Sequence, residues 1–166
     1  MIGAMRSVLF ICTGNICRSP TAEGVFRKMV ADAGLAHAIR VDSAGTHAYH
    51  VGEPPDTRAQ AFARSRGYDL SGIRARRIDA GDFDAFDLIV AMDRDHHEIL
   101  ARMAPPPARP KVGLMLTYAR RANTLDVPDP YYGGPEGFEL VLDLIEDAAA
   151  GLLAALQGEK AGPSSD

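Results

Sequence analysis

Cysteine is almost absent from this 166-residue chain, with Cys12 and Cys17 as the only two. Two thiols five positions apart make no disulfide framework for a small secreted fold, and they are too few for a cysteine-only zinc site. Their closeness points to reactivity. An excess of positive charge is also missing: 18 basic residues face 22 acidic ones, for a formal net charge of -4. That balance argues against general attraction to nucleic acid or to an anionic membrane surface. Long apolar runs are lacking too, since the longest wholly apolar window, Ala148 to Leu156, falls far short of the roughly 20 residues that span a bilayer. Val8 to Cys12 is shorter than a signal-peptide core and has no small-residue cleavage pattern behind it, so a cytoplasmic protein is expected. With 16 glycines and 11 prolines the chain stays below low-complexity composition, and its 46% hydrophobic content supplies one packed core. No internal repeat is visible.

What is present alternates between strand and helix patterns. Ser7 to Ile11 is a continuous apolar run suited to a strand buried on both faces. A loop follows from Cys12 to Ser19. Ser19 then reads as an N-cap with Pro20 at the first helical position, and Ala22, Val25, Phe26, Met29 and Val30 recur at helical spacing until Gly34. Ile39 to Ala44 is a second strand, and Asp56 to Arg66 a second helix stopped by Gly67. Asp87 to Met92 is a third strand, followed by a helix start from Asp93 to Leu100 and a Pro105-Pro106-Pro107 connection that no helix should survive. Lys111 to Leu116 is the fourth strand. A last helix opens at Pro135 and Glu136 and carries a wide apolar stripe from Phe138 to Leu156. The pattern predicts an α/β fold: a small doubly wound, four-stranded parallel sheet with helices on both faces. One domain over residues 1–157 and a loose polar tail over 158–166 are expected.

In such sheets ligands bind beyond the carboxyl ends of the strands, where Cys12-Thr13-Gly14-Asn15-Ile16-Cys17-Arg18-Ser19-Pro20 lies. From Cys12 to Arg18 the loop is long enough to wrap a tetrahedral anion with successive backbone N–H groups, and Gly14 and Asn15 tolerate left-handed angles. Arg18 brings a planar fork of donors that bonds two phosphate oxygens at once. The same field favours a thiolate at Cys12. A buried strand-end cysteine and an ordinary arginine are the bland alternative, but the strand before the motif and the helix start after it match what a nucleophile loop requires.

The segment VLFICTGNICRSPTAEGVF resembles the active-site loop and first helix of the low-molecular-weight protein tyrosine phosphatases. Further resemblance lies in Asp42-Ser43-Ala44-Gly45-Thr46, Gly52-Glu53-Pro54-Pro55-Asp56, Ala91-Met92-Asp93-Arg94-Asp95 and Asp129-Pro130-Tyr131-Tyr132-Gly133. The matches run in order over roughly residues 6–157. The resemblance implies hydrolysis of phosphotyrosine through a cysteinyl-phosphate intermediate, without metal or other cofactor. It makes Cys12 the nucleophile, Arg18 the phosphate clamp and Asp129 the general acid and base. It assigns Thr13, Gly14, Asn15, Ile16, Cys17 and Ser19 to the anion loop, with Ser19 also donating to the cysteine sulfur. Ser43 pairs with Asn15 to hold the loop. Tyr131 and Tyr132 form an aromatic wall of the substrate slot, and Tyr49 its opposite lip, where the family often has tryptophan. The partner implied is a tyrosine-phosphorylated protein, with phosphate and other oxyanions as inhibitors.

Two departures stand out. Ile73 occupies the place of a histidine that buttresses the loop network in many relatives, so that support is missing or differently supplied. Ile16 stands where a branch acting on phosphoarginine has threonine, and its branched apolar side chain suits a phenyl ring. His47, His50, His96 and His97 match no complete metal site and read as surface or helix-capping residues. Arg74, Arg76 and Arg77 read as a solvated face, and Asp126 as a solvated loop charge. Two other functions share the loop. An arsenate reductase would need further cysteines for its relay, which this chain lacks, and a silent phosphotyrosine-binding module has no use for Cys12, Arg18 and Asp129 together.

Overall fold

The computed structural model describes residues 6–131 and 133–161. Four strands form one sheet: β1 (Arg6–Cys12), β2 (Ile39–Gly45), β3 (Leu88–Ala91) and β4 (Val112–Leu114), in the order β2-β1-β3-β4. All three pairings are parallel. The helices are α1 (Arg18–Asp32), α2 (Thr57–Ser65), α3 (Asp82–Ala85), α4 (Arg94–Met103) and α5 (Pro135–Ala161).

Period-two geometry sends the side chains of β1 alternately to two cores. Val8, Phe10 and Cys12 join Phe26 of α1 and Leu142, Ile145 and Leu152 of α5 on one face. Leu9 and Ile11 join Phe83 of α3, Ile89 of β3 and Leu100 of α4 on the other. Each such side chain contributes about 1.5–3 kcal/mol by leaving water, and the Phe10 ring meets Phe26 edge-on at 5.7 Å. Covered on both faces, the sheet can carry the unbroken apolar run that the sequence shows. The chain moves from β1 outward to β2 and then returns to the other side of β1 as β3. That reversal opens a crevice beyond the ends of β1 and β3, where the loop after Cys12 sits.

Several boundaries differ from the sequence reading. Helix α1 begins at Arg18, so Cys17 is its N-cap and Ser19 lies inside the first turn. Ser19 is therefore not the cap, because its hydroxyl is directed to the loop. The proline connection forms a 3-10 turn over Pro106–Lys111, since prolines at a helix start give up no needed N–H. Strand β4 shrinks to three residues before a second 3-10 turn, Met115–Tyr118. The four-residue α3 was not foreseen; Asp82 holds it by accepting from the Asp79 amide and from Arg76. Helix α5 runs on through Gly158 to Ala161, past the predicted start of the tail, and residues 162–166 lie outside the described residues. Among the described residues no helix is long and apolar enough to cross a membrane.

Candidate active site

Cys12 closes β1 and is only 3% exposed. Its backbone still belongs to the sheet, for Thr46 N–H donates to Cys12 O at 2.9 Å and His47 N–H to Thr13 O at 3.0 Å. The chain then turns through Asn15, which is left-handed at φ 60°, whereas Gly14 is not. Gly14 instead makes room: a Cβ there would meet the His50 ring at 2.8 Å. None of the described hydrogen bonds uses the amide N–H of Gly14, Asn15, Ile16 or Cys17. Those donors are left for a ligand that accepts several at once.

The Asn15 side chain holds this curl from within. Its Nδ2 donates to Ser19 Oγ at 2.8 Å and to Ser43 Oγ at 2.9 Å, and its Oδ1 accepts from the Arg76 amide at 3.0 Å. Ser19 Oγ in turn lies 3.0 Å from Cys12 Sγ, where it can donate to a sulfur anion. Ser43 Oγ donates to Glu23 Oε1 at 2.6 Å, and Glu23 is paired with Arg27. Burial pushes the Glu23 carboxyl up, against the pull of Ser43 and Arg27. Ile73, where a buttressing histidine was expected to be missing, packs against Cys17, Leu70 and Phe138 as plain core. The polar support comes from Glu23, Ser43 and the Arg76 backbone. Arg76 is no solvated charge either, because its guanidinium joins Asp42 and Asp82.

Arg18 is buried beneath the loop, and its Nη1 donates to Asp93 Oδ2 at 2.9 Å and to Val127 O at 3.0 Å. Asp93 also caps α4 by accepting from the His96 amide at 2.8 Å. Burial opposes the Asp93 charge, but the His96 ring and amide and the Arg18 fork outweigh it and hold the carboxyl well below the usual range. Asp129 arrives from the loop before α5, 45% exposed at its side chain, with Oδ2 3.7 Å from Arg18 Nη2 and Oδ1 accepting the Tyr131 amide at 3.0 Å.

These residues border a slot of about 230 Å³ lined by Cys12, Thr13, Gly14, Ile16, Cys17, Arg18, Tyr49, His50, Asp129 and Tyr131. Tyr49 stands 68% exposed at its mouth, its ring stacked on His47 at 5.0 Å. Tyr132, expected beside Tyr131, lies outside the described residues. A larger open groove between the 120–122 loop and α5 contains no nucleophile, so size does not locate the chemistry here.

The family model described as low molecular weight phosphotyrosine protein phosphatase matches residues 7–161. The chain belongs to this family. A low molecular weight protein-tyrosine-phosphatase of Streptomyces coelicolor is 48% identical, covering 93% of this chain and 96% of its own. The human low molecular weight phosphotyrosine protein phosphatase is 42% identical over 83% of this chain and 87% of its own. Among solved structures, a protein tyrosine phosphatase from Entamoeba histolytica with Hepes in its active site superposes with a TM-score of 0.91 at 40% identity, covering 93% and 99% of the two chains.

For a member of the low molecular weight phosphatases, three residues in or around the slot were not anticipated. Arg58 donates to Tyr131 O at 3.1 Å, with its guanidinium over the Tyr131 and Phe138 rings, and so holds the slot wall. An arginine in a helix gives no such signal on its own. His50 is more than a surface residue: it lines the slot, with Nδ1 3.0 Å from Glu53. His96 is likewise neither surface nor cap: the turn that Asp93 caps folds it inward, where its Nε2 sits 2.8 Å from Thr13 Oγ1. Asp126 is a paired charge, bonded to the Arg94 side chain and amide.

Proposed function

We propose that this chain hydrolyses phosphotyrosine in proteins, and aryl phosphates generally, through a phosphocysteine. The observation that carries the reading is that Cys12, Arg18 and Asp129 border one slot floored by unpaired loop amides. With Nη1 of Arg18 engaged by Asp93 and Val127, its other edge is directed to two phosphoryl oxygens. The Cys12 thiolate attacks phosphorus, and the P–O bond to the tyrosyl ring breaks as the Asp129 carboxyl proton passes to the departing oxygen. A phenol has a pKa near 10, so this proton is worth roughly 10² to 10⁴ in rate. Water then attacks the phosphocysteine, its proton returns to Asp129, and phosphate leaves as the thiolate is restored.

Ile16 and Tyr131 give the slot apolar sides suited to a phenyl ring, with Tyr49 at the lip. Phosphate and similar oxyanions compete for the loop amides. Cys17 lines the same slot as Cys12 and is its partner on oxidation; burial, reinforced by the charges of Asp56 and Cys12, holds its thiol well above the usual range, so attack on phosphorus is left to Cys12. The test is turnover of para-nitrophenyl phosphate and of a phosphotyrosine peptide without added metal, by wild type and Cys12→Ser side by side. Turnover by wild type alone is expected. Binding of the phosphopeptide without turnover by reduced wild type would leave a silent binding module instead.

A further inference from the structure

The proposed mechanism gives no role to the buried His96. His96 is 3% exposed and lies in the first turn of α4, with both ring nitrogens facing groups that belong to the loop machinery. Nε2 is 2.8 Å from Thr13 Oγ1, next to the nucleophile in sequence. Nδ1 is 2.9 Å from Asp93 Oδ1, without the alignment of a hydrogen bond. The other Asp93 oxygen carries Arg18. Thr13 and Arg18 stand near the two ends of the anion loop, so one imidazole touches the first directly and the second through a single carboxylate.

We infer that His96 is a positioning residue for the phosphatase reaction, tying Thr13 to the Asp93–Arg18 pair and so setting the loop's opening and the plane of the guanidinium. This rests on the reading of the slot as a phosphotyrosine site. The tautomer with its proton on Nδ1, on the side of that carboxylate, accepts the Thr13 hydroxyl at Nε2. A histidine that merely filled the core would need a partner for its polar atoms. It would have no reason to divide its two nitrogens between the start of the loop and the support of its clamp. Loop and guanidinium geometry matters most when charge spreads over the equatorial phosphoryl oxygens, so the effect belongs in kcat rather than in substrate affinity.

The experiment compares wild type, His96→Phe, Thr13→Val, the double variant and His96→Gln. It reads kcat and KM for para-nitrophenyl phosphate, inhibition by inorganic phosphate, and Tm. His96→Phe is expected to lower kcat roughly tenfold with KM within about twofold. Thr13→Val should lose a similar factor, and the double variant should be no slower than the slower single, because both remove the same link. His96→Gln, whose amide oxygen can accept the Thr13 hydroxyl, should regain much of the loss. The inference is overturned if Thr13→Val, folded with wild-type Tm, keeps wild-type kcat, if the single losses multiply in the double variant, or if His96→Phe lowers Tm alone. Wild type without turnover would overturn the phosphatase reading and this inference with it, whereas active wild type matched by the variants removes only the role of His96.

Discussion

Arg18 Nη2 stands 3.7 Å from Asp129 Oδ2, and its sister Nη1 is fixed by Asp93 and Val127. The proposed clamp and acid therefore address the same few ångströms of space although they lie more than a hundred residues apart in sequence. On the proposed mechanism, a phosphoryl ester between them would meet two donors of the fork on its oxygens and the carboxyl on its bridging oxygen.

Arg18→Lys should lose roughly 10² to 10³ in kcat, although the charge is retained. An ammonium can satisfy Asp93 or reach the phosphoryl group, but it cannot hold both with a planar fork. Steady-state kinetics with para-nitrophenyl phosphate measures this, and near wild-type turnover would rule out the two-point clamp.

Asp129→Ala should slow hydrolysis most for poor leaving groups and least for activated phenols, because the acid acts in proportion to charge on the departing oxygen. Plotting log rate against leaving-group pKa for both proteins gives the answer. Parallel lines would remove Asp129 from the acid role.

Asn15 separates two contributions to stability. Asn15→Ala loses three side-chain hydrogen bonds and places an ordinary residue at positive φ, for about 3–5 kcal/mol in all. Asn15→Gly loses the same bonds but accepts the backbone angle, so it should unfold in urea at a midpoint between wild type and Asn15→Ala. Identical midpoints for the two variants would mean that the left-handed turn costs nothing.

Asp93→Asn should cost about 3 kcal/mol at neutral pH by leaving Arg18 with a neutral partner beneath the loop. The folded Asp93 carboxyl titrates below its unfolded value near 3.9, so its stabilisation is complete above that value and fades as pH falls through the acid range. Urea melts from pH 7 down to pH 2.5 should show the gap between variant and wild type constant above pH 5 and narrowing below pH 4. A constant gap over the whole range contradicts the charge argument.

Peroxide should inactivate the wild type reversibly. Cys12 is oxidised to a sulfenic acid, Cys17 then attacks that sulfur, and the sulfenic oxygen leaves as water with the Cys17 proton. Intact mass should show the loss of two hydrogens and a dithiol should restore activity. Cys17→Ser should gain oxygen and recover poorly; equal recovery of both proteins would leave Cys17 a packing residue.

Much of this architecture is legible in the residues themselves. Val8 to Ile11 is apolar at every position because both faces of β1 are covered, and the helix faces of α1 and α5 show their spacing. Cys12 and Arg18 are legible because they share one short loop. What was not legible is tertiary. His96, Arg58 and Arg76 act through partners 83, 73 and 61 positions away, and no local pattern distinguishes them from surface charges. Ser19 was misplaced as an N-cap for a related reason: its hydroxyl has the right chemistry for capping, and only the fold of the loop directs it to sulfur and to Asn15.

Gly45, at the end of β2, presses its bare Cα against the outside of the anion loop, where a Cβ would meet Thr13 O at 2.6 Å and Asn15 N at 3.2 Å. Its φ is ordinary, so alanine would be comfortable there but for these backbone neighbours, which cannot rotate aside as a side chain could. Every one of the other nineteen amino acids carries at least a carbon at that point. The position thus has no conservative replacement: any side chain there must push the backbone of the loop at Thr13 and Asn15, so the shape of the loop depends on an atom that Gly45 lacks.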